Sequence, residues 1–268
     1  HTNMDLIRNK ERKRNRMLRK SYEFFIVFIK SMIDEKIALA WSILLPLLLF
    51  FSINYSWFHA KPDVSKAVYY YASFWAFSAV LVVFNGIGLR LTDFRELGIL
   101  KSFVFICGSK VPIIVGLLLS QIVFGLVSLA LFTVVISIVF DYPIFLLFFT
   151  ATCTYLVVLL PLFMLSLSIA SLSVRASSAY TLVNMLIFPA TYLAIYRGES
   201  TDFFTTILYY LNPVEYVFRF SVFTYDALTN NLHLNSNHLF LLVISIVYIA
   251  IGVIAWSKIK IASTVRRT

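Results

Sequence analysis

Six stretches of this chain, residues 37–58, 67–89, 111–140, 144–174, 176–196 and 239–257, contain no Asp, Glu, Lys or Arg at all. Each is long enough to cross a bilayer as a helix, which takes about 20 apolar residues. The rest of the composition agrees. Of 268 residues, 60% are hydrophobic and 13% charged, with a mean hydropathy of +0.86, whereas a soluble domain carries roughly 25% charge. A compact soluble domain has too much surface for its volume to hide so much apolar material. The expected fold class is therefore an all-α integral membrane protein with six transmembrane helices.

Charge placement gives the orientation. Ten of the 23 Lys and Arg lie in residues 1–36, four in 90–110, one at Arg175 and four after residue 257; only Lys61, Lys66, Arg197 and Arg219 fall on the other side. Cytoplasmic segments are enriched in Lys and Arg, so both termini are placed in the cytoplasm of a multi-pass cell-membrane protein. The formal charge of +10 is then accounted for by topology and attraction to anionic lipid, and nucleic acid is excluded as a partner because no soluble basic module exists to hold it.

The breaks between stretches are short: Lys61-Pro62-Asp63, Asp141-Tyr142-Pro143 and Arg175. His1-Thr2-Asn3 ahead of Met4 reads as the remnant of a tag, and no cleavable signal peptide is expected. Residues 4–36 form a basic N-terminus and an amphipathic interfacial helix, residues 37–257 the membrane domain and residues 258–268 a cytoplasmic tail. Within the first segment, residues 1–15 are expected to be a disordered basic tail. Phe25, Phe28, Ile29 and Met32 recur at helical spacing in residues 22–35 and predict a helix lying in the headgroup layer.

Between the fifth and sixth stretches, Asn212 and Pro213 suit the cap and first turn of a helix. Glu215 and Arg219 then stand four residues apart in the favourable order. The segment 203–219 reads as two short helices dipping into the outer leaflet, or as an interfacial loop.

Familiar chemistry is missing. Gly108-Ser109-Lys110 lacks the upstream glycine of a phosphate loop, the four His lack metalloprotease spacing, and no G-x-S-x-G elbow occurs. Cys107 and Cys153 stand alone, so neither a disulfide framework nor a metal site is expected. No catalytic residue is assigned. The stretches offer neutral polar groups such as Asn54, Asn85, Gln121 and Asn184 in place of the intramembrane carboxylate, His or Lys of an ion relay.

The segment from Asn85 to Ser102 is the most informative. A short charged helix (Arg90, Asp93, Arg95, Glu96, Lys101) leaves one stretch and leads into the next. With charge on its exposed face and Phe94, Leu97 and Leu100 on the other, it suits docking to a soluble partner; a solvated loop is the plainer reading. The order of parts, with Arg95-Glu96-Leu97-Gly98-Ile99-Leu100-Lys101 and Leu211-Asn212-Pro213-Val214-Glu215-Tyr216-Val217-Phe218-Arg219 as its most specific pieces, resembles the permease subunit of type-2 ABC exporters, over nearly the whole chain from about residue 20.

The resemblance implies a second copy of the chain or a homologous permease, and a separate ATP-binding subunit that holds the ATP and Mg, leaving no cofactor in this chain. It implies coupling through Arg90, Asp93, Phe94, Arg95, Glu96, Gly98 and Lys101. It also implies a path at the dimer interface faced by Asn85, Gly86, Asn184 and Pro189, and an outer re-entrant pair carrying Asn212, Pro213, Glu215 and Arg219. Pro189 and Pro46 are equally readable as tolerated kinks. The Arg-Glu-x-Gly form resembles the drug and peptide exporters, which implies export of a hydrophobic or amphipathic peptide, toxin or drug. Export of a lipid-linked glycan and passive sequestration of a peptide without an ATPase are the alternatives.

Overall fold

The computed structural model describes residues 2–195, 209, 211–229 and 236–260, and every regular element among them is helical. The elements are α1 (Thr2–Asp34), α2 (Lys36–Ile53), α3 (Val64–Val83), α4 (Arg90–Glu96), α5 (Ile99–Cys107), α6 (Val111–Phe140), α7 (Ile144–Ser171), α8 (Ala176–Ile195), α9 (Pro213–Leu228) and α10 (Ser236–Lys258). A π-helical segment, Phe84–Leu89, joins α3 to α4 without a break, so Val64–Glu96 is one rod of 33 residues.

Among the described residues, five helices are long and apolar enough to cross a membrane: Val64–Glu96, Val111–Phe140, Ile144–Ser171, Ala176–Ile195 and Leu239–Lys258. The first expected stretch is divided. Its helix α2 ends at Ile53, and a 3-10 turn follows over Tyr55–Phe58.

The α3 rod sits at the centre and is almost wholly surrounded by protein, whereas α8 and α10 remain largely exposed. Its sequence explains the position. Ala67, Ala72, Ser73, Ala76, Ser78 and Ala79 are all buried, and small residues let neighbouring backbones approach closely where apolar burial gives no preference over lipid. Glycines serve the same purpose elsewhere. A Cβ on Gly252 would lie 2.6 Å from the Met164 Cα, and one on Gly116 would lie 2.6 Å from the Phe24 Cβ. These contacts seat α10 on α7 and α1 on α6.

Where α2 ends, Phe50, Trp57, Phe74, Phe132 and Phe140 pack ring on ring, with Phe50 to Trp57 centroids 5.3 Å apart and Phe50 to Phe74 5.2 Å. This cluster joins α2, α3 and α6. Many aromatic residues are therefore interior packing units, beyond the lipid and interface positions that composition alone suggests.

The N-terminal expectation needs correction. No disordered tail occupies residues 1–15 as far back as Thr2, since α1 already runs from there; Arg, Lys, Met, Leu and Glu are all good helix formers. Its apolar residues also divide between two faces. Phe24, Phe28 and Met32 turn toward the protein, while Leu18, Tyr22, Ile26, Val27 and Ile33 stay exposed.

Among the described residues, four cations from elsewhere in the chain cap helix C-termini, whose last carbonyls have no partner within the helix. Lys20 Nζ donates to the Cys107 carbonyl of α5 (2.9 Å) and Lys61 Nζ to the Phe140 carbonyl of α6 (2.9 Å). Lys110 Nζ donates to the Trp256 carbonyl of α10 (2.6 Å) and lies 5.2 Å above the Trp256 ring; burial pushes this ammonium below its ordinary pKa. The fourth is Arg95.

Candidate functional site

The segment expected to face a soluble partner is built differently from the expectation. Helix α4 stops at Glu96, Gly98 adopts a left-handed φ of 76°, and a second helix, α5, begins at Ile99. The positive φ is where glycine is favoured. The charged side chains of α4 turn inward. Arg95 is buried, its Nη1 donating to the Ala170 carbonyl (2.8 Å) and its Nη2 to the Val174 carbonyl (3.0 Å). One guanidinium thus spans the end of α7 and the turn beyond it, a use of its forked donors that a lysine cannot match.

Glu96 Oε2 accepts the Ala176 backbone N–H at the first turn of α8, where a carboxylate also meets the positive end of the helix dipole. Asp93 Oδ2 accepts the Tyr180 hydroxyl (2.6 Å) from the same helix. Arg90 reaches the other way. Its Nη1 donates to Glu35 Oε1 (2.9 Å) and its Nη2 to Ser31 Oγ (2.6 Å) at the end of α1, with the guanidinium 5.6 Å from the Phe94 ring. Phe94 in turn stacks on Phe28 (5.7 Å).

So α4 is bonded at once to α1, to the end of α7 and to the start of α8. Of the charged residues expected there, Lys101 is the one left exposed, together with the apolar Leu97, Phe105 and Ile106, and Leu100 is buried.

Above α4 lies a cavity of about 550 Å³ walled by α1, α2, the π-helical segment, α6 and α8. Asn85, Gly86 and Asn184, three of the four residues expected along a path, line it together; Pro189 does not. Arg90, Glu35, Phe124 and Phe188 are also in its lining. A Cβ on Gly86 would fall 2.1 Å from the Gln121 carboxamide, so this glycine lets Gln121 lie flat on the π-helical segment. Gln121 is buried, its Nε2 donates weakly to Met32 Sδ (3.7 Å), and its Oε1 has no partner among the described residues.

Sequence reading gives Gln121 no more than a place among the neutral polar groups, and passes over Met32 and Tyr180 as wall residues. Their roles come from contacts 35 to 89 residues apart in the chain, as in the separation of 89 between Gln121 and Met32. No local spacing reports those.

Around α9, the expected local features are present. Pro213 opens α9 and Asn212 Oδ1 accepts the Val214 N–H (2.9 Å). The Asn212 Nδ2 also donates to the Ala190 carbonyl of α8 (2.8 Å), and Arg219 Nε meets Glu215 Oε1 at 2.8 Å. Glu215 is fully buried. The helix N-terminus is held inside the bundle, with the Tyr216 hydroxyl 2.7 Å from Ser245 Oγ and the Tyr248 hydroxyl donating to the Leu211 carbonyl (2.9 Å). The first helix of the expected re-entrant pair, within 203–211, lies almost entirely outside the described residues, as do Arg197 and the tail beyond residue 260.

A central rod that leads into a clamped, partly apolar surface helix suits a membrane subunit driven from outside the bilayer. The family model described as ABC-2 type transporter matches residues 25–225, about three quarters of the chain. No curated protein and no solved structure matches it. With its several apolar helices, the chain belongs to the ABC-2 type transporter family as a multi-pass transmembrane subunit.

Proposed function

We propose that the chain is the membrane subunit of an ATP-driven exporter that moves a hydrophobic or amphipathic compound, such as a peptide, toxin or drug, out of the cell. In this reading it pairs with a second copy or a homologous permease and rests on a separate ATP-binding subunit, which holds the ATP and Mg. Both termini are cytoplasmic, and α2 serves as the first of six spans. Its 18 residues extend about 27 Å, close to the ~30 Å of the hydrocarbon core.

The observation that carries the reading is the seating of α4. A force on this helix reaches α1 through Arg90, α7 through Arg95 and α8 through Asp93 and Glu96, and Arg90 lines the cavity. Closure of an ATP-binding subunit against the exposed Leu97, Lys101, Phe105 and Ile106 would therefore reshape the cavity walls together. In this division, Arg95 and Glu96 transmit and Leu97 and Lys101 receive. Asn85, Gly86, Asn184 and Pro189 belong to the path, and the Asn212–Arg219 segment closes it on the outer side.

The test is to purify the tagged chain from its native host in mild detergent with ATP present and identify what accompanies it by mass spectrometry. A stoichiometric ATP-binding subunit is expected, and Lys101→Glu with Leu97→Asp should release it while leaving the permease folded. Recovery of the chain alone would overturn the exporter reading.

A further inference from the structure

The cations that cap helix ends are not equally provided for. Lys61 has the Asp141 carboxylate at 3.8 Å in addition to its carbonyl, and Arg95 uses both arms of its fork. Lys20 and Lys110 each donate to a single carbonyl, of Cys107 and Trp256, although an ammonium carries three donors. Neither has a carboxylate within salt-bridge distance among the described residues. Both side chains are half-buried, and burial lowers the Lys110 pKa with no neighbouring anion working against it.

One turn joins the two. Cys107 ends α5, Lys110 precedes α6, and only Gly108 and Ser109 lie between them. Helix α1 sends Lys20 to this turn, and the turn sends Lys110 to the end of α10. Lys258 and Lys260 follow at that end, both exposed. No Asp or Glu occurs in residues 97–140 or 227–268, and Glu23 on α1 is taken by Arg19 at 3.3 Å. Cations from three parts of the chain therefore meet in a corner that supplies them no counter-charge.

The corner lies where membrane-length helices begin and end, Val111–Phe140 starting there and Leu239–Lys258 finishing there. On α10, Ile246, Ala250, Ile254 and Lys258 are all exposed at four-residue spacing. Residues so spaced share one helix face, so an apolar stripe runs along α10 and finishes on a cation. In a bilayer the stripe meets acyl chains and the cations beyond it meet headgroups. A zwitterionic head brings a cation of its own, whereas a phospholipid with net negative charge supplies what the corner lacks.

We propose that this corner binds one anionic phospholipid, whose phosphate oxygens accept the remaining donors of Lys20 and Lys110, with Lys258 and Lys260 beside the headgroup and the acyl chains along the α10 stripe. The site goes beyond the export reading and does not depend on it.

The test is native mass spectrometry of the full chain purified in mild detergent. The chain is titrated with phosphatidylglycerol or with phosphatidylcholine of the same acyl chains, and a phosphatidylglycerol carrying a diazirine in one acyl chain maps the site by photolabelling. Phosphatidylglycerol should fill one site roughly 10-fold more tightly than phosphatidylcholine and label the peptide covering 246–257. A cation near an anionic lipid surface contributes about 5-fold in affinity, so Lys20→Gln and Lys110→Gln should each weaken binding by about that factor. Lys258→Gln combined with Lys260→Gln, at exposed positions, should weaken it on the order of 10-fold. If Lys110→Gln cannot be purified, the exposed pair decides. Lys66→Gln, exposed at the opposite end of the bundle, should leave binding unchanged.

Equal affinity for the two lipids, adducts confined to helices other than α10, full affinity in the Lys258 and Lys260 double variant, or an equal loss with Lys66→Gln would overturn the site. Displacement of phosphatidylglycerol by excess inorganic phosphate would overturn a lipid as its occupant.

Discussion

Replacing Arg95 with Met tests whether its guanidinium holds the ends of α4, α7 and α8 together. Methionine keeps much of the apolar stem and removes the fork, so lost packing is small and the loss falls on two hydrogen bonds, of 2.8 Å to the Ala170 carbonyl and 3.0 Å to the Val174 carbonyl. Hydrogen bonds to charged groups contribute about 1.5–3 kcal/mol each, and the Ala170 bond lies in a buried setting where water replaces the donor poorly. Removing both should cost about 3–5 kcal/mol. At roughly 2–4 °C per kcal/mol for a domain of this size, the midpoint of thermal unfolding should fall by about 10 °C.

Arg95→Lys should lose about half as much, since one ammonium on a shorter stem cannot bridge both carbonyls. Lys101→Met, at an exposed position, should stay within about 0.5 kcal/mol of the unaltered chain. The assay is size-exclusion fluorescence after graded heating in detergent, paired with hydrogen exchange at residues 170–180. An Arg95→Met chain that melts within about 2 °C of the unaltered one, a shift that corresponds to no more than about 1 kcal/mol, and shows no faster exchange there, would refute the clamp.

Three further outcomes follow from the same geometry. Gly86→Ala, whose Cβ would meet the Gln121 carboxamide at 2.1 Å, should destabilise the chain by about 1–3 kcal/mol; a cycle with Gln121→Ala should show a coupling above about 1 kcal/mol, and simple additivity would rule out the contact. Gly98→Ala meets open space but keeps a φ of 76°, so it should cost about 1 kcal/mol from backbone strain, with Gly98→Asn costing less; equal melting of all three chains would argue against the break. Asn212→Ala should lose about 2 kcal/mol by removing both a helix cap and the tie to Ala190, whereas Asn212→Asp should retain the cap to Val214 and lose only the tie, a difference that equilibrium unfolding in graded SDS can resolve.

What could be read from the chain without its structure was local. The Asn212 cap, Pro213 in the first turn and the Glu215–Arg219 pair all depend on residues at most four apart, so helical spacing reveals them. The long charge-free stretches carry the membrane class for the same reason: hydrophobic length is a property of a continuous segment. Arg95 is the opposite case. It stands next to Glu96 in a charged run that looks solvated, yet it reaches carbonyls 75 and 79 residues away, and no pattern in the sequence says which charges turn inward. Gly98 could have been read as a helix end from its residue type, since helices commonly end on a glycine in the left-handed conformation. Gln121 gave no such signal, because its meaning comes from the absence of a side chain at Gly86 on a different helix.

The cations at the helix ends bear on how such a chain is made. Lys110 stands at the start of α6, but the carbonyl it binds belongs to Trp256, near the end of α10, so during synthesis it must wait for most of the membrane domain to follow. Until then a charged group that the finished fold partly buries has only water or lipid headgroups to hold. A nascent chain that stops before residue 256, or whose last helix enters the bilayer in the wrong direction, would leave this ammonium unmatched at the membrane surface. Lys61 and the end of α6 form the corresponding checkpoint on the opposite face. Lys110 therefore registers completion of the fold, and replacing it would disturb assembly even if every helix still crossed the membrane.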